Sequence, residues 1–358
     1  MAKVRIAVAG AGLIGVRHLE EIAANGECAI ACIVDPSPRA AEQAKRFGVP
    51  LFRTLEEGLA TKADGVILAT PNALHLEQSL ACIAAGIPTL VEKPLAHTLE
   101  AGEQLVDAAE KAGVPILVGH MRRHSTIMDA AVRVVRSGKL GRLVAIMGSA
   151  VYCKPAADGY FDPPNDWRRR PGGGPILINM IHEVDAMRSL MGEIVAVEAM
   201  ASNAVRGFEV EDTVAITLRF EGGALGTFML SDTAAAPRSW EQTSQENKAY
   251  ATCEDEDTYV VMGTHGSLSI PTMRLRTYAR DEDRSWFKPF QSSVVPFERA
   301  DPLALQIAHF AEVIRGRAAP LVSGRDGLMN LRAVDAIARA AASDGTVEIR
   351  GHRAREVA

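Results

Sequence analysis

The chain has 358 residues, of which 47% are apolar and 23% are charged, with a formal net charge of −5. This length exceeds the size at which a single hydrophobic core stops growing, so two domains are expected. The composition excludes a disordered chain and a membrane-spanning one. The acidic balance, with only 5% aromatic residues, also argues against nucleic acid as a partner.

The N-terminal segment and the cysteines indicate the cellular setting. Met1 to Gly10 contains no apolar core of signal-peptide length, so we expect a cytoplasmic protein without membrane association. The five cysteines are odd in number and show no CxxC spacing, a pattern typical of neither a disulfide framework nor a zinc ribbon.

From Val4 to His120, short apolar runs alternate with longer segments of helical periodicity. The runs are almost wholly apolar rather than alternating, as expected of parallel strands that helices cover on both faces. This rhythm predicts a doubly wound parallel α/β domain of the Rossmann type. The five runs are RIAVAG, AIACIVD, GVILAT, PTLVEKP and PILVGH.

A glycine-rich loop follows the first predicted strand and opens the first predicted helix. Its glycines allow a tight turn, close approach of a pyrophosphate and close packing of the helix on the sheet. An aspartate ends the second predicted strand, where its carboxylate accepts hydrogen bonds from an adenosine ribose. The cofactor-binding residues predicted here are Gly10, Gly12, Leu13, Ile14, Gly15 and Asp35.

The same segment favours NAD over NADP as the cofactor. The carboxylate of Asp35 repels a 2′-phosphate, and the following Pro36-Ser37-Pro38 places no arginine directly beside it. Arg39 lies near enough in sequence to keep NADP open as the second choice.

The character of the sequence changes after residue 122. Segments such as TVAITLRF and ALGTFMLS have the alternation and glycine turns of a large, open, mostly antiparallel sheet. One face of such a sheet is left free when helices cover the other, so we expect a homodimer or homotetramer formed through it. We therefore predict a nucleotide-binding domain at 1–122 and an α+β substrate-binding and oligomerisation domain at 123–358, whose helices at 301–343 could pack near the first domain.

Motifs along nearly the whole chain resemble the Gfo/Idh/MocA family, which is named after glucose-fructose oxidoreductase, inositol dehydrogenase and MocA. Among them are Glu92-Lys93-Pro94, Trp167-Arg168 and the triple glycine 172–174 that leads to His182. The others are Thr70-Pro71-Asn72 through His75, Gly119-His120 with Arg122 and Arg123, His309 to Ile314, and Val322 to Gly327. The order and spacing of the set are specific, although no single motif is.

The resemblance implies a Rossmann domain, an open-sheet α/β domain, and a substrate held in the cleft between them. It also implies that Lys93 and His182 are the catalytic residues. A base such as His182 takes the hydroxyl proton as hydride leaves the carbinol carbon, and Lys93 stabilises alkoxide charge and holds the substrate. The implied cofactor-binding residues are Thr70, Pro71, Asn72, His75, Glu92 and Lys93, and the implied substrate-binding residues are Lys93, His120, Arg122, Tyr160, Trp167, Arg168, Asn179 and His182.

One position departs from the family pattern. Dehydrogenases of the family often carry an aspartate four residues before the histidine, and this position is Ile178. Either Asn179 or Asp185 takes over its work, or the substrate does not need that contact. The implied activity is NAD(H)-dependent hydride transfer at a secondary alcohol carbon of a cyclic polyol, sugar or sugar-acid derivative. Arg122 or Arg168 could pair with a substrate carboxylate, which keeps oxidation of a dihydrodiol of an aromatic carboxylic acid open.

Two other functions use the same fold, namely a non-catalytic regulator that binds the dinucleotide and a glycosidase that oxidises its substrate transiently. Lys93 and His182 favour an enzyme over a regulator, because a sensor requires neither side chain. His120 and His124 are four residues apart, but no third ligand has a convincing spacing, so no metal is expected.

Overall fold

The computed structural model describes residues 2–155, 159–163, 165–343 and 345–349. Contacts between residues divide the chain into two compact units. The first unit comprises residues 2–125 and Ala300–Leu331, and the second comprises Thr126–Arg299 and the residues after Leu331. This division differs from the predicted one, which placed the boundary at 122 and residues 300–331 with the second domain.

A six-stranded parallel sheet forms the centre of the first unit, in the order β3-β2-β1-β4-β5-β6. The order reverses beside β1, and ligands of such folds bind where it reverses, at the carboxyl ends of the strands. The predicted Rossmann sheet is confirmed, with β3 as a short strand that the apolar runs do not show. The strands are β1 (Val4–Ala9), β2 (Cys28–Val34), β3 (Leu51–Phe52), β4 (Gly65–Leu68), β5 (Thr89–Val91) and β6 (Ile116–Val118).

Five helices of the first unit alternate with these strands and cover the sheet. Two of them, α2 and α5, end at Gly48 and Gly113, which adopt the left-handed backbone conformation at φ 66° and 65°. Short 3₁₀ turns lie at Asn72–Leu74 and Met121–His124. The helices are α1 (Leu13–Ala24), α2 (Ala40–Phe47), α3 (Leu55–Leu59), α4 (His75–Ala84) and α5 (Leu99–Ala112).

A ten-stranded sheet forms the second unit, in the order β15-β14-β13-β12-β7-β10-β9-β8-β16, with β11 paired to β7. Its described strand pairs are antiparallel except for β7 with β10, so the predicted mostly antiparallel sheet is confirmed. The strands are β7 (Leu143–Cys153), β8 (Ile194–Ser202), β9 (Thr213–Phe220), β10 (Leu225–Ser231), β11 (Thr233–Arg238), β12 (Tyr259–Gly263), β13 (Gly266–Ile270), β14 (Arg274–Thr277), β15 (Gln291–Val294) and β16 (Val347–Glu348).

Helices cover one face of this second sheet. The helices of the unit are α6 (Thr126–Arg136), α7 (Ile181–Met191) and α8 (Trp240–Thr243). Strands β9 and β10 alternate buried and exposed residues along most of their length, as one covered face requires. The other face exposes apolar side chains, among them Met147 at 57% and Met200 at 73%.

Two C-terminal helices, α9 (Pro302–Ile314) and α10 (Gly324–Ser343), complete the fold. Helix α9 belongs to the first unit because Ile307 and Phe310 are fully buried in one core with Ile6 and Leu19. The unit boundary at Leu331 lies inside α10. Within the described residues, no helix has the length and apolar character needed to cross a membrane.

Candidate active site

The glycine loop joins β1 to α1 through contacts that a side chain would block. A Cβ on Gly10 would lie 2.4 Å from the carbonyl oxygen of Ala69, and a Cβ on Gly15 would lie 1.9 Å from that of Gly10. Gly12, in contrast, faces open space, since no other atom would lie within 4 Å of its Cβ. Gly10 and Gly15 are therefore needed for packing, whereas Gly12 leaves room where a pyrophosphate would approach.

Leu13 and Ile14 open α1 directly after this loop. The side chain of Leu13 is 93% exposed, which is unusual for leucine, and Ile14 is half-buried. The first N–H groups of a helix have no partner within the helix, so this end can bind an anion. The exposed leucine and the open backbone fit a dinucleotide lying across the loop.

Asp35 follows β2 and is hydrogen-bonded to the glycine loop. One carboxylate oxygen accepts the Ala11 N–H at 2.7 Å, and the other accepts the Ser37 N–H at 2.7 Å. Partial burial raises the pKa of Asp35, but these hydrogen bonds outweigh it and hold the pKa below its usual range. A carboxylate has about four acceptor positions, so Asp35 can fix the loop and still accept a ribose hydroxyl.

The Thr70-Pro71-Asn72 segment follows β4 and is held by the ring of His75. Pro71 and Asn72 are exposed, whereas His75 is 1% exposed. Its Nε2 lies 3.0 Å from the Thr70 carbonyl oxygen, and its Nδ1 lies 2.9 Å from the Pro94 carbonyl oxygen. The enclosed ring thus links the loops after β4 and β5, and His75 positions residues that the resemblance assigns to the cofactor.

Glu92, directly after β5, forms a buried pair with a residue that the motifs did not identify. Its Oε1 lies 2.8 Å from Nε2 of His18, which is fully buried on α1, and its Oε2 accepts the Lys93 N–H at 3.2 Å. Burial raises the pKa of Glu92, but the bond and charge of His18 outweigh it and hold the pKa low. A Cβ on Gly119 would lie 2.8 Å from this carboxylate, so a glycine is needed there.

Three further predicted residues lie in the first unit. Lys93 is half-buried at the carboxyl end of β5. His120 and Arg122, after β6, are 1% and 6% exposed. The side-chain nitrogen Nδ2 of Asn330, from α10, lies 3.2 Å from Nε2 of His120. The structure therefore encloses His120 and Arg122 and leaves Lys93 partly accessible.

The triple glycine of the second unit leads into a π-helical turn, Ile176–Met180, and then into α7. The carboxylate of Glu211 accepts the Ile176 N–H at 2.8 Å and would lie 2.3 Å from a Cβ on Gly174. His182 is the second residue of α7 and is half-buried. The small glycine therefore lets an acid from another segment cap the turn that presents His182.

Asn179 lies in this turn and is bonded to Lys154, a residue that the motifs missed. Lys154 Nζ donates to Asn179 Oδ1 at 2.8 Å and lies 3.5 Å from Oδ2 of the buried Asp232. Burial lowers the pKa of Lys154 to about 8, against the opposing charge of Asp232. One signal was available in the sequence, since Tyr152 and Lys154 are two apart on an extended segment and so share a face.

Tyr160, Trp167 and Arg168 lie together in the second unit. The guanidinium of Arg168 lies 4.0 Å from the ring centroid of Tyr160 and 5.4 Å from that of Trp167. Arg168 Nη1 also donates to the Tyr160 carbonyl oxygen at 2.8 Å. Trp167 is 48% exposed, so this aromatic and cationic group borders solvent.

Two family models match the chain. Residues 4–120 match the model described as oxidoreductase family, NAD-binding Rossmann fold, and residues 128–269 match the GFO/IDH/MocA C-terminal domain. A 1,5-anhydro-D-fructose reductase from Ensifer adhaerens is 31% identical over 94% of this chain and 98% of its own. The chain belongs to the Gfo/Idh/MocA family of oxidoreductases.

One further relative and two solved structures are similar to this chain. The scyllo-inositol 2-dehydrogenase (NAD(+)) of Bacillus subtilis is 28% identical over 92% of this chain and 91% of its own. The WlbA dehydrogenase of Bordetella pertussis, solved with NADH and UDP-GlcNAcA, is 24% identical with a TM-score of 0.76 over 98% and 100% of the two chains. An Agrobacterium radiobacter oxidoreductase, solved with NAD+, L-tartaric acid and magnesium, is 20% identical with a TM-score of 0.80 over 97% and 99%. These two structures support the fold alone.

The departure from the family pattern is visible in the second unit. Ile178 is half-buried in the π-helical turn and brings no carboxylate. Asp185, one of the two predicted substitutes, is 1% exposed on α7, whereas Asn179 is half-buried and bonded to Lys154. Across the described residues, no group of three histidine, cysteine or acidic side chains is arranged to hold a metal.

Proposed function

We propose that this family member is an NAD(H)-dependent dehydrogenase that transfers a hydride between nicotinamide and a secondary alcohol carbon of a cyclic polyol, sugar or sugar-acid derivative. The observation that carries the proposal is the position of Lys93. It follows a parallel strand in the unit that holds the glycine loop, and its N–H is bonded to the buried carboxylate of Glu92. Catalytic groups of such folds collect at this edge of the sheet.

Lys93 and His182 have distinct roles in this proposal. His182 is the base that accepts the hydroxyl proton, since a neutral imidazole is a competent base near pH 7. Lys93 is the cation that stabilises the alkoxide charge of the substrate as it develops. NAD, when bound, supplies the hydride acceptor.

The first unit supports NAD as the preferred cofactor. The open backbone at Gly12 and the N-terminus of α1 would hold the pyrophosphate, and Asp35 would accept a ribose hydroxyl. Asp35 is ionised at neutral pH because its pKa lies below its usual range, so it repels a 2′-phosphate. Arg39 is exposed at the start of α2, which leaves NADP as the second choice.

The relatives support the substrate class. One is named for 1,5-anhydro-D-fructose and the other for scyllo-inositol, and both compounds are cyclic and polyhydroxylated. The free face of the ten-stranded sheet supports a homodimer or homotetramer, because Met147 and Met200 are exposed on it. A mass in solution equal to that of one 38.3 kDa chain would contradict this assembly. A cytoplasmic location stays a prediction from the sequence.

The test is reduction of NAD, followed by absorbance, with a panel of inositols, sugars, sugar acids and aromatic dihydrodiols. We expect NADH formation with one class, and a loss of about 10²- to 10⁴-fold in kcat/KM for Lys93→Ala and for His182→Ala. Matched controls are Lys139→Ala and His97→Ala, since both side chains are exposed. Both controls should remain within about twofold of the parent.

The panel also separates this proposal from its alternatives. Oxidation of the dihydrodiols alone would favour the aromatic substrate. Tight NAD binding without reduction of any kind would favour the regulator, and cleavage of a glycoside without net NADH would favour the redox-neutral glycosidase. Unchanged turnover in His182→Ala would contradict the assigned base.

A further inference from the structure

Four charged side chains of the second unit have no part in the proton transfer assigned to His182. Lys154 follows β7, Arg206 precedes β9 and Asp232 lies between β10 and β11, with side chains 10%, 9% and 4% exposed. Arg168 joins them from the 3₁₀ turn Asp166–Arg169. We call these four residues the Lys154 cluster.

The Lys154 cluster holds three cations and one carboxylate. Asp232 accepts a hydrogen bond from Arg206 Nε at 2.9 Å and lies 3.5 Å from Lys154 Nζ. Lys154 Nζ and the Arg168 guanidinium share the ring of Tyr160, at 5.1 and 4.0 Å from its centroid. The cations of the cluster therefore outnumber its one carboxylate, which leaves an excess of positive charge.

Two further acids, Asp212 and Glu211, lie in the segments around the cluster and already accept backbone N–H groups. Asp212 accepts those of Val205 and Arg206, at 3.0 and 2.9 Å. Glu211 accepts one from another segment, the Ile176 N–H, at 2.8 Å. Burial raises the pKa of Glu211 and so disfavours its charged form. Among the described residues, Lys154 is ion-paired with Asp232 alone and Arg168 with no carboxylate, so both can pair with an anion from outside the chain.

Two buried hydrogen-bond donors beside the cluster lack an acceptor. The Nε of Arg168 and the hydroxyl of Tyr152 are buried and have no partner among the described residues. The ring centroid of Tyr152 lies 5.7 Å from Lys154 Nζ. Buried donors without partners are costly, so this pattern points to a ligand that brings oxygen acceptors.

The cluster is connected to the turn that precedes His182. Lys154 Nζ donates to Asn179 Oδ1 at 2.8 Å, and Asn179 lies three residues before His182. This bond occupies the carbonyl oxygen of the Asn179 side chain, which leaves its amide group as a further donor. A ligand bound at Lys154 would therefore lie beside the segment that holds the proposed base.

We propose that the Lys154 cluster binds a carboxylate of the substrate, which makes sugar acids, rather than neutral sugars or inositols, the preferred substrates. The inference rests on the proposed dehydrogenase function and narrows its substrate class. Lys154 and Arg168 are the carboxylate-binding residues, and Asp232 and Arg206 hold Lys154 in position. A family aspartate at position 178 would repel such a substrate, whereas Ile178 does not.

The charge state of Lys154 agrees with this role. Burial, together with Arg168 and Arg206, lowers the pKa of Lys154 to about 8, so this side chain is cationic in most molecules at pH 7. A carboxylate ligand beside Lys154 opposes these effects and stabilises the charged form. Charge-assisted hydrogen bonds to such a ligand correspond to about a tenfold to hundredfold gain in affinity.

The experiment compares two acids with their neutral counterparts on the NADH-loaded protein at pH 7, by titration calorimetry. The pairs are D-glucuronate with D-glucose and D-gluconate with D-glucitol, since each pair differs at the carboxylate. We expect at least one acid to bind about tenfold or more tightly than its counterpart. In Lys154→Met this preference should disappear, and in the exposed control Lys139→Met it should persist.

Several results would overturn the proposal. One is that the parent protein binds an acid and its neutral counterpart equally. Another is that Lys154→Met still prefers the acid. A third is that Lys154→Met loses the same affinity for both members of a pair. If Lys154→Met does not fold, Arg168→Met gives the same comparison, because it leaves the contacts of Lys154 with Asp232 and Asn179 intact.

Failure of the dehydrogenase proposal has a different signature. In that case the acid preference in binding persists, but no member of the panel reduces NAD. Conversely, NADH formation from neutral sugars with no preference for acids in binding would retain the dehydrogenase and reject the carboxylate site.

Discussion

The two units hold their functional groups in different ways. In the first, the nucleotide loop depends on backbone atoms: Gly15 packs against the Gly10 carbonyl oxygen, and Asp35 accepts a backbone N–H of the loop. In the second, side chains from separate segments bond to one another, as Lys154 does to Asn179 and Asp232. A site built from backbone atoms requires glycines and an acid at fixed spacing in the sequence. A site built from side chains can change its residues while the sheet that carries them stays the same.

This difference accounts for the uneven information in the two halves of the chain. A dinucleotide is the same ligand in many enzymes, and a loop of N–H groups at a helix N-terminus suits it irrespective of the substrate. Under the proposed function, the second unit has to distinguish one polyhydroxylated compound from another, and charged side chains do this most strongly. Substitutions should therefore damage folding in the first case and selectivity in the second.

The largest effect is expected for Gly15→Ala. Its Cβ would lie 1.9 Å from the Gly10 carbonyl oxygen, so the loop and α1 must separate. We expect the free energy of unfolding to fall by about 3 kcal/mol or more, measured by urea denaturation. Gly12→Ala meets no atom within 4 Å, so it should change stability by about 1 kcal/mol or less while weakening NAD binding about tenfold.

The second unit supplies a matched glycine. A Cβ on Gly174 would meet the carboxylate of Glu211 at 2.3 Å, but this group is the end of a flexible side chain. Gly174→Ala should therefore cost about 1 to 2 kcal/mol, less than Gly15→Ala. If Gly174→Ala lowered the free energy of unfolding as much as Gly15→Ala or more, the contrast between a site built from backbone and one built from side chains would be wrong.

A smaller effect is expected for Glu92→Gln, which removes the charge paired with His18. Leaving this buried contact imperfectly satisfied should cost about 2 kcal/mol at pH 7. The pKa of Glu92 is lower in the folded chain than its ordinary value of 4.5. Its contribution to stability is therefore present above pH 4.5 and is lost as the pH falls through the folded pKa.

The corresponding measurement is unfolding by urea from pH 7 down to pH 3. Below pH 4.5 the difference between the parent and Glu92→Gln should shrink, whereas Glu77→Gln, an exposed position on α4, should match the parent throughout. Binding of NAD should weaken in Glu92→Gln because the carboxylate holds the Lys93 N–H. A difference that grows with acid would contradict the lowered pKa.

More of the fold than of the candidate site could be predicted from the sequence. Apolar runs and glycine spacing gave the Rossmann sheet, and alternation gave the antiparallel one. Strand β3 has two residues, Leu51 and Phe52, which is too short for a periodic pattern. The place of α9 in the first unit was not predictable from local pattern, because it depends on Phe310 packing against residues near the N-terminus.

The motifs single out the glycine loop, Asp35, Lys93 and His182 as candidate site residues, and these roles stay predictions. They do not point to the contacts made by His18 and Lys154. His18 is a polar residue on the buried face of α1, and its partner Glu92 is 74 residues away. Lys154 resembles a solvated lysine in sequence, because its acceptors lie in distant segments. Pairing of this kind depends on tertiary structure, which a single sequence does not give.

The smallest expected effect concerns the pH dependence of acid binding. Since the pKa of Lys154 is lowered to about 8, affinity for a carboxylate should fall as the pH rises through this value. The charged groups that face Lys154 are Asp232, Arg168 and Arg206. Glu211 also faces it, and burial raises the pKa of this carboxyl. Burial also raises the pKa values of Tyr152 and Tyr160, which keeps both phenols neutral in this window.

Asp232→Asn tests this assignment, because Asp232 is the group that raises the pKa of Lys154. Without it the cation is lost at lower pH, so the midpoint of the affinity profile should move to lower pH by up to about one unit. Affinity for NAD, held by the first unit, should not change, and the exposed control Asp255→Asn should retain the profile of the parent. A midpoint that moves to higher pH would mean that a group other than Lys154 titrates. If affinity for NAD changed as much as affinity for the acid, the cofactor site of the first unit and the proposed substrate site of the second would not be independent.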